Sequence, residues 1–253
     1  MVPRSYLFVP ADRPERFAKA RASGADTVIV DLEDAVAPNA KDAARRVLAE
    51  WLAGPAALAH RPVVVRVNAV GTAEHDDDVA ACRCGGVEAI MVPKAERTED
   101  LARIAATAGK PLIPLIETAP GMDNVRAIAQ APSVARLAFG SVDFQLDMGI
   151  AGDGEELLAY RSALVLASRV AGLPPPVDGV STEIADGAAV HVGAQRSRRL
   201  GFGAKLCIHP AQVAVVNLAF RGGGAAVAVH GKMVDKPVLL RAEALLRQAG
   251  DTG

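Results

Sequence analysis

Acids and bases recur just beyond short apolar runs in this sequence. Asp31, Glu33 and Asp34 follow "TVIV", Arg66 and Asn68 close "VVVRVN", and Lys94 and Glu96 follow "IMVP". Glu117 ends "PLIPLIE", Ser141 and Asp143 follow "LAFG", and His209 follows "AKLCI". Glu117 and Asp143 have no histidine or cysteine cluster beside them, which favours a hard cation with oxygen ligands. Mg²⁺ fits, because one or two carboxylates suffice and water and substrate oxygens complete its octahedron. Arg66 has the planar fork that grips a substrate carboxylate, and Asp34 and Arg66 are the catalytic candidates at the second and third runs. Each residue also has a plainer reading. Arg66 suits a structural salt bridge to Asp34 or Glu117. Glu117 suits a contact at the start of the helix that "ETAPG" opens. His209 before Pro210 suits a helix cap, and Asp147 suits a solvated loop position.

Groups on six separate runs need a scaffold that brings the run ends together. The strands expected are Tyr6–Val9, Thr27–Asp31, Val63–Asn68, Ala89–Val92, Leu112–Glu117, Leu137–Gly140, Val177–Ser181 and Lys205–Ile208. Helical spacing lies between them, as in Arg13–Ser23, Lys41–Trp51 and Leu157–Ala171. Eightfold alternation of continuous apolar strands and helices predicts an α/β fold, a closed (β/α)8 TIM barrel, with catalytic groups at the C-terminal strand ends. The competing open doubly wound sheet carries a Gly-rich first turn, whereas this one reads "VPADRPE". The catalytic barrel is expected over residues 1–220. Gly222–Gly224 then opens a short C-terminal helical tail or lid, residues 221–253, containing "HGKMVDKPVLLRAEALLRQ".

The chain has 253 residues, 51% hydrophobic, enough for one sizeable core. Its net charge of −1 points away from nucleic acid and anionic membrane surfaces. No apolar run approaches the roughly 20 residues of a membrane span, and Met1 to Pro10 lacks the pattern of a secretion signal. Cys82, Cys84 and Cys207 form no disulfide framework, so a cytoplasmic location is expected; Cys82-x-Cys84 lacks the second pair of a zinc site. Arg4, Arg13, Arg16, Lys19 and Arg21 make the first βα unit locally basic. They suit either a solvated helix face or a landing site for a phosphorylated ligand.

The sequence resembles the citrate lyase β-subunit-like branch of the HpcH/HpaI aldolase family across almost its whole length. The matching segments, in order, are "RSYLFVPADRPERFAKA", "VDLEDAVAP", "VVRVN", "IMVPKAE", "PLIETAPG", "FGSVDFQLDMG", "GFGAKLCIHPAQV" and "GKMVDKPV". The resemblance implies a (β/α)8 barrel, a homotrimer or dimer of trimers, Mg²⁺, and carbon–carbon cleavage of 3-hydroxy-acyl-CoA thioesters. It puts the metal ligands on Glu117 and Asp143. Substrate contacts fall on Arg66, Glu117, Ser141 and Asp143, and coenzyme A contacts on Phe8, Arg13 and Lys19. It also makes Asp235 an acid that reaches a neighbouring subunit's site; the plainer reading of Asp235 is a helix-start carboxylate offsetting the dipole. Val142 stands where an acid is common in the family, a form similar to the subgroup with citramalyl-CoA lyases. The link "RGGGAAVAVH" stands where the family usually has an extra helix, which implies either a shortened lid or missing residues.

The expected reaction is cleavage of (S)-citramalyl-CoA to acetyl-CoA and pyruvate. Alternatives are an L-malyl-CoA lyase, a malate or methylmalate synthase-type enzyme, a citrate lyase β subunit serving a carrier-protein thioester, and a non-catalytic acyl-CoA sensor. The basic first turn argues against the carrier protein, and the acidic set argues against the sensor. Pyruvate and glyoxylate differ by a methyl group, worth only about 1–3 kcal/mol of pocket discrimination.

Overall fold

The computed structural model describes residues 2–54 and 63–221. Eight parallel strands close into a barrel in sequence order. They are β1 (Ser5–Pro10), β2 (Thr27–Asp31), β3 (Val63–Arg66), β4 (Val87–Val92), β5 (Leu112–Ile116), β6 (Ala138–Phe139), β7 (Val177–Asp178) and β8 (Ala204–Cys207). All eight expected strands form. The seventh is shorter than the expected Val177–Ser181, because pairing with β8 covers only Val177 and Asp178. Between them lie α1 (Phe17–Ala22), α2 (Lys41–Ala53), α3 (His75–Ala81), α4 (Thr98–Ala108), α5 (Ala119–Asp123), α6 (Val125–Gln130), α7 (Ser141–Met148), α8 (Leu158–Val170), α9 (Gly187–Leu200) and α10 (Pro210–Ala219). The expected tail helix and Asp235 lie outside the described residues.

Strand alternation divides the core into two layers. Tyr6, Ile29, Val64, Met91, Ile113, Leu115, Val177 and Leu206 face the barrel axis and pack together. Their neighbours Leu7, Val30, Val65, Ile90, Phe139 and Cys207 face outward and meet the helices. In α4, Leu101, Ile104 and Ala108 repeat on one buried face, and the helix stops at Gly109, whose φ of +65° suits glycine. Each fully buried leucine or isoleucine contributes about 1.5–3 kcal/mol. Polar groups also join the layers. Asp178 on β7 accepts from Arg161 on α8 at 2.9 Å and from Ser197 on α9, and it faces Lys205 on β8. Burial alone would raise the Asp178 pKa, but Lys205, Arg161 and Ser197 together hold it below the ordinary carboxylate value.

The inward alternation continues past the strand ends. Asp31 lies two residues after Ile29, Arg66 two after Val64, and Glu117 two after Leu115. The polar residues that follow inward-facing apolar ones therefore converge on the mouth.

Candidate active site

Arg66 is at the centre of the mouth and is 8% exposed. Asp31 is its in-register neighbour across β2 and β3. The Arg66 Nε and Nη2 groups donate to the two Asp31 carboxylate oxygens, each at 2.7 Å. Nη1 donates to Asp34 at 3.2 Å and lies 3.0 Å from Glu33 Oε2. That Glu33 contact is an ion pair without hydrogen-bond alignment, since Oε2 makes no hydrogen bond. Burial alone would lower the guanidinium pKa; hydrogen bonding and charge from Asp31, then the charges of Glu33 and Asp34, raise it instead. Of the expected salt-bridge partners, Asp34 is present, and Asp31 and Glu33 stand where Glu117 was expected. Asp31 is the principal partner, because its in-register position places both oxygens along the fork. The fork edge expected to meet a substrate carboxylate is occupied by Asp31, and one N–H on each of Nη1 and Nη2 is left without a hydrogen-bond acceptor among the described residues.

Glu117 follows β5 and is 1% exposed. Its Oε1 accepts the Lys94 backbone N–H at 2.8 Å. Its Oε2 is buried without a hydrogen-bond partner. Burial pushes the carboxyl up to about 8, and the charges of Glu33 and Asp143 add to it against the pull of the Lys94 N–H and Arg66. Glu117 is not the cap of the next helix: Thr118 fills that role, accepting from Gly121 N–H at 3.2 Å. Glycine is required opposite Glu117, since a Cβ on Gly140 would lie 2.5 Å from the Glu117 Cβ. Gly179 is constrained likewise, its would-be Cβ lying 2.7 Å from Ser141 Cβ.

The segment "FGSVDFQLDMG" forms α7, with Gly140 at its N-cap position and Gly149 at φ +66° ending it. Ser141 is buried at its first position and Asp143 half-buried at its third. The first N–H groups of a helix have no intrahelical partner, so those of Ser141, Val142 and Asp143 form a positive end beside Glu117. Asp147 lies on α7 rather than in a loop, and accepts the Ala119 N–H at 2.7 Å. His209 is a helix cap, accepting from Ala211 N–H at 3.2 Å as part of a capping box with Gln212. A cleft of about 520 Å³ opens beside Ser141, lined by Gln145, Thr182, Val192 and Arg196 among others.

Glu33 and Asn68, named at the strand ends without a role, are partners in the site. Glu33 links the clusters, accepting from Lys94 Nζ at 3.0 Å through Oε1 while Oε2 faces Arg66. Asn68 lies behind it, donating to Leu32 O at 2.9 Å and to Asp78 at 2.6 Å. Lys41 joins this support by donating to Asn68 and to the carbonyls of Leu32 and Glu33.

The residues expected to bind coenzyme A do not form one group. Phe8 packs against the inner barrel cluster, with the Arg66 guanidinium 4.9 Å above its ring. Arg13 and Lys19 are exposed on the outer segment after β1. Arg4 leaves the basic set, because its guanidinium is bound by Asp26 at the opposite end of β1. Arg21 leaves it too, stacking 4.6 Å over Trp51.

The donor set fits a hard divalent cation in one respect that the fold alone does not explain. Glu117 Oε2 is a buried, unpartnered carboxylate oxygen within electrostatic reach of Asp143. No group of three or more His, Cys, Asp or Glu side chains is gathered for a metal among the described residues, so such an ion needs water or substrate oxygens as well. No helix among them is long and apolar enough to cross a membrane.

The sequence profile of the HpcH/HpaI aldolase/citrate lyase family matches residues 4–210. A citrate lyase subunit beta-like protein of Mycobacterium tuberculosis is 36% identical over 270 residues, spanning 97% of this chain and 95% of that protein. A (3S)-malyl-CoA thioesterase of Cereibacter sphaeroides is 34% identical over 235 residues, spanning 91% of this chain and 81% of that protein. The crystal structure of protein CitE from Mycobacterium tuberculosis in complex with magnesium, acetoacetate and coenzyme A matches with a TM-score of 0.83 at 35% identity, over 98% of each chain.

Proposed function

The chain belongs to the HpcH/HpaI aldolase/citrate lyase family, and on that premise we propose that it is a Mg²⁺-dependent lyase of acyl-CoA thioesters. The carrying observation is the buried, unpartnered Glu117 Oε2 beside Asp143 at the barrel mouth. Magnesium and coenzyme A bound to the related CitE protein support the reading. The substrate we assign is (S)-citramalyl-CoA, cleaved to acetyl-CoA and pyruvate.

Glu117 and Asp143 would hold the ion, which supplies Lewis-acid polarisation of the oxo-acid oxygens when bound. Asp34, 59% exposed at the rim and tied to Arg66, is assigned the substrate hydroxyl proton. The carbon–carbon bond then breaks toward the thioester, and its electron pair becomes the enolate of acetyl-CoA. Arg66 and the N–H groups at the start of α7 face the developing negative charge, where preorganised donors are most effective. Asp235, from the tail of a neighbouring subunit, is assigned the proton that completes acetyl-CoA. This assignment treats residues 1–220 as the catalytic barrel and 221–253 as a lid, in a trimer or dimer of trimers. If it holds, mixing inactive Asp235→Ala and Glu117→Gln subunits restores activity. No rescue, with subunit exchange seen by native mass spectrometry, removes the shared site.

Arg13 and Lys19 are assigned the nucleotide end of coenzyme A, far from the reacting bond. Arg13→Ala is therefore expected to raise KM about tenfold with kcat little changed. Steady-state kinetics with a fixed acyl chain test this, and a fall in kcat at constant KM would place Arg13 elsewhere. Phe8 belongs beneath Arg66 by its contacts, so its loss should act on kcat with the clamp.

A second reading, thioester hydrolysis, is favoured by the (3S)-malyl-CoA thioesterase relative. Product analysis separates the two. Incubation with citramalyl-CoA and malyl-CoA, with and without Mg²⁺, should yield acetyl-CoA and a 2-oxo acid. Free coenzyme A with an intact hydroxy acid would replace the lyase reading by hydrolysis.

A further inference from the structure

Lys94 follows β4 with φ +46°. Glycine reaches that region without strain and lysine does not, so something must hold it there. The turn around it is fixed at several points. Its own N–H donates to Glu117 Oε1 at 2.8 Å, and the next N–H, of Ala95, donates to Leu115 O at 3.3 Å. Glu96 accepts from Thr118 at 2.8 Å through its carboxylate and from Asn124 at 2.9 Å through its carbonyl. The side chain provides another anchor, Nζ donating to Glu33 Oε1 at 3.0 Å. Because Glu33 Oε2 lies 3.0 Å from Arg66, one continuous path joins Glu117, Lys94, Glu33 and Arg66 across four strand ends.

Resting on the reading of Glu117 as a metal ligand, we propose that Lys94 is a positioning residue that selects which Glu117 oxygen meets the ion. Its N–H engages Oε1, leaving Oε2 as the ligating atom. Its ammonium, bound to Glu33, holds the turn in the conformation that aims the N–H. The same ammonium fixes Glu33 against Arg66, so the metal ligand and the cationic clamp are set in register by a single side chain. A glycine at this position would allow the conformation without requiring it. Lysine requires it through a contact made only inside the site. Groups that orient a metal ligand through a hydrogen bond commonly control affinity at a distance of one bond.

The test is Mn²⁺ binding to the full-length protein without substrate, read from the electron paramagnetic resonance signal of the free ion. Wild type should bind, and Glu117→Gln should not. Lys94→Met should weaken binding about tenfold or more. Lys94→Gly should also weaken it, although it keeps the N–H and removes the strain. Lys94→Arg, which keeps the contact to Glu33, should stay within about twofold of wild type. Thermal melts check folding, and relief of strain protects the glycine variant from simple unfolding. Mn²⁺ affinity unchanged in both Lys94→Met and Lys94→Gly, with only the melting temperature moved, overturns the proposal and leaves a structural turn. Absence of Mn²⁺ binding in wild type overturns the Glu117 metal reading instead, and this inference with it.

Discussion

Glu117→Gln is expected to abolish measurable turnover, by roughly a thousandfold or more, while making the metal-free protein more resistant to heat at alkaline pH. The activity loss has the size of the several kcal/mol a bound cation contributes to charge stabilisation. The stability gain follows from burial. Glu117 is a carboxyl pushed up to about 8, first by desolvation and then by Glu33 and Asp143. A raised acid stabilises the fold while it is protonated, below the unfolded-state value near 4.5. That contribution is lost as pH rises toward the folded-state value. Glutamine keeps an acceptor for the Lys94 N–H and never ionises. The melting temperatures of wild type and variant should therefore be close at about pH 5 and diverge by several degrees by about pH 9, with the variant higher. Saturating Mg²⁺ should stabilise wild type alone, since an ion that binds only the folded carboxylate draws the equilibrium toward it. Calorimetric scans across pH, with and without Mg²⁺, measure all of this. A variant that keeps full Mg²⁺-dependent turnover would falsify the ligand assignment.

Arg66→Lys should lower kcat/KM about a hundredfold or more, and Arg66→Met should destabilise the fold by about 3–5 kcal/mol, roughly 10 °C. The guanidinium meets three acids at once: Asp31 through two parallel bonds, Glu33, and Asp34. A single ammonium cannot span them. The misplaced carboxylates would be Asp31, 1% exposed, and Glu33, 6% exposed. Methionine leaves Asp31 without its cation and Glu33 with Lys94 alone, which is the costly way to break a buried pair. Kinetics and denaturation on the same preparations separate the roles. Near-native kcat/KM in the folded fraction of Arg66→Lys would make Arg66 a structural residue and remove it from the chemistry.

The strands were legible because their apolar runs are continuous, as parallel strands buried on both faces require. The residues at their ends were legible as a group, including Glu117, Arg66, Ser141 and Asp143. Their pairing was not. Asp34 drew attention over Asp31, yet counting by twos from Ile29 puts Asp31 on the inward face in register with Arg66. Lys94 was only one charge among several, since its positive φ leaves no mark in a sequence where the residue is not glycine. The helix around Asp143 was not legible, because its apolar residues Val142, Phe144, Leu146 and Met148 recur by twos and mark no single helical face. Arg4 and Arg21 looked alike to Arg13, but a carboxylate at Asp26 and a ring at Trp51 claim them from elsewhere in the chain.

The two glycines at the ends of β6 and β7 also bear on how such a site can diversify. At Gly140 even one methyl group would press on Glu117, and at Gly179 it would press on Ser141. New side chains at these places would displace Glu117 or Ser141 before they could reshape the space for substrate. Novelty must then enter from the periphery, through Gln145, Thr182, Val192 and Arg196 around the adjoining cleft, where a larger or smaller side chain changes the space for substrate and leaves the carboxylates in place. The inner rim is in that sense fixed by its own crowding, and the outer rim is its adjustable part.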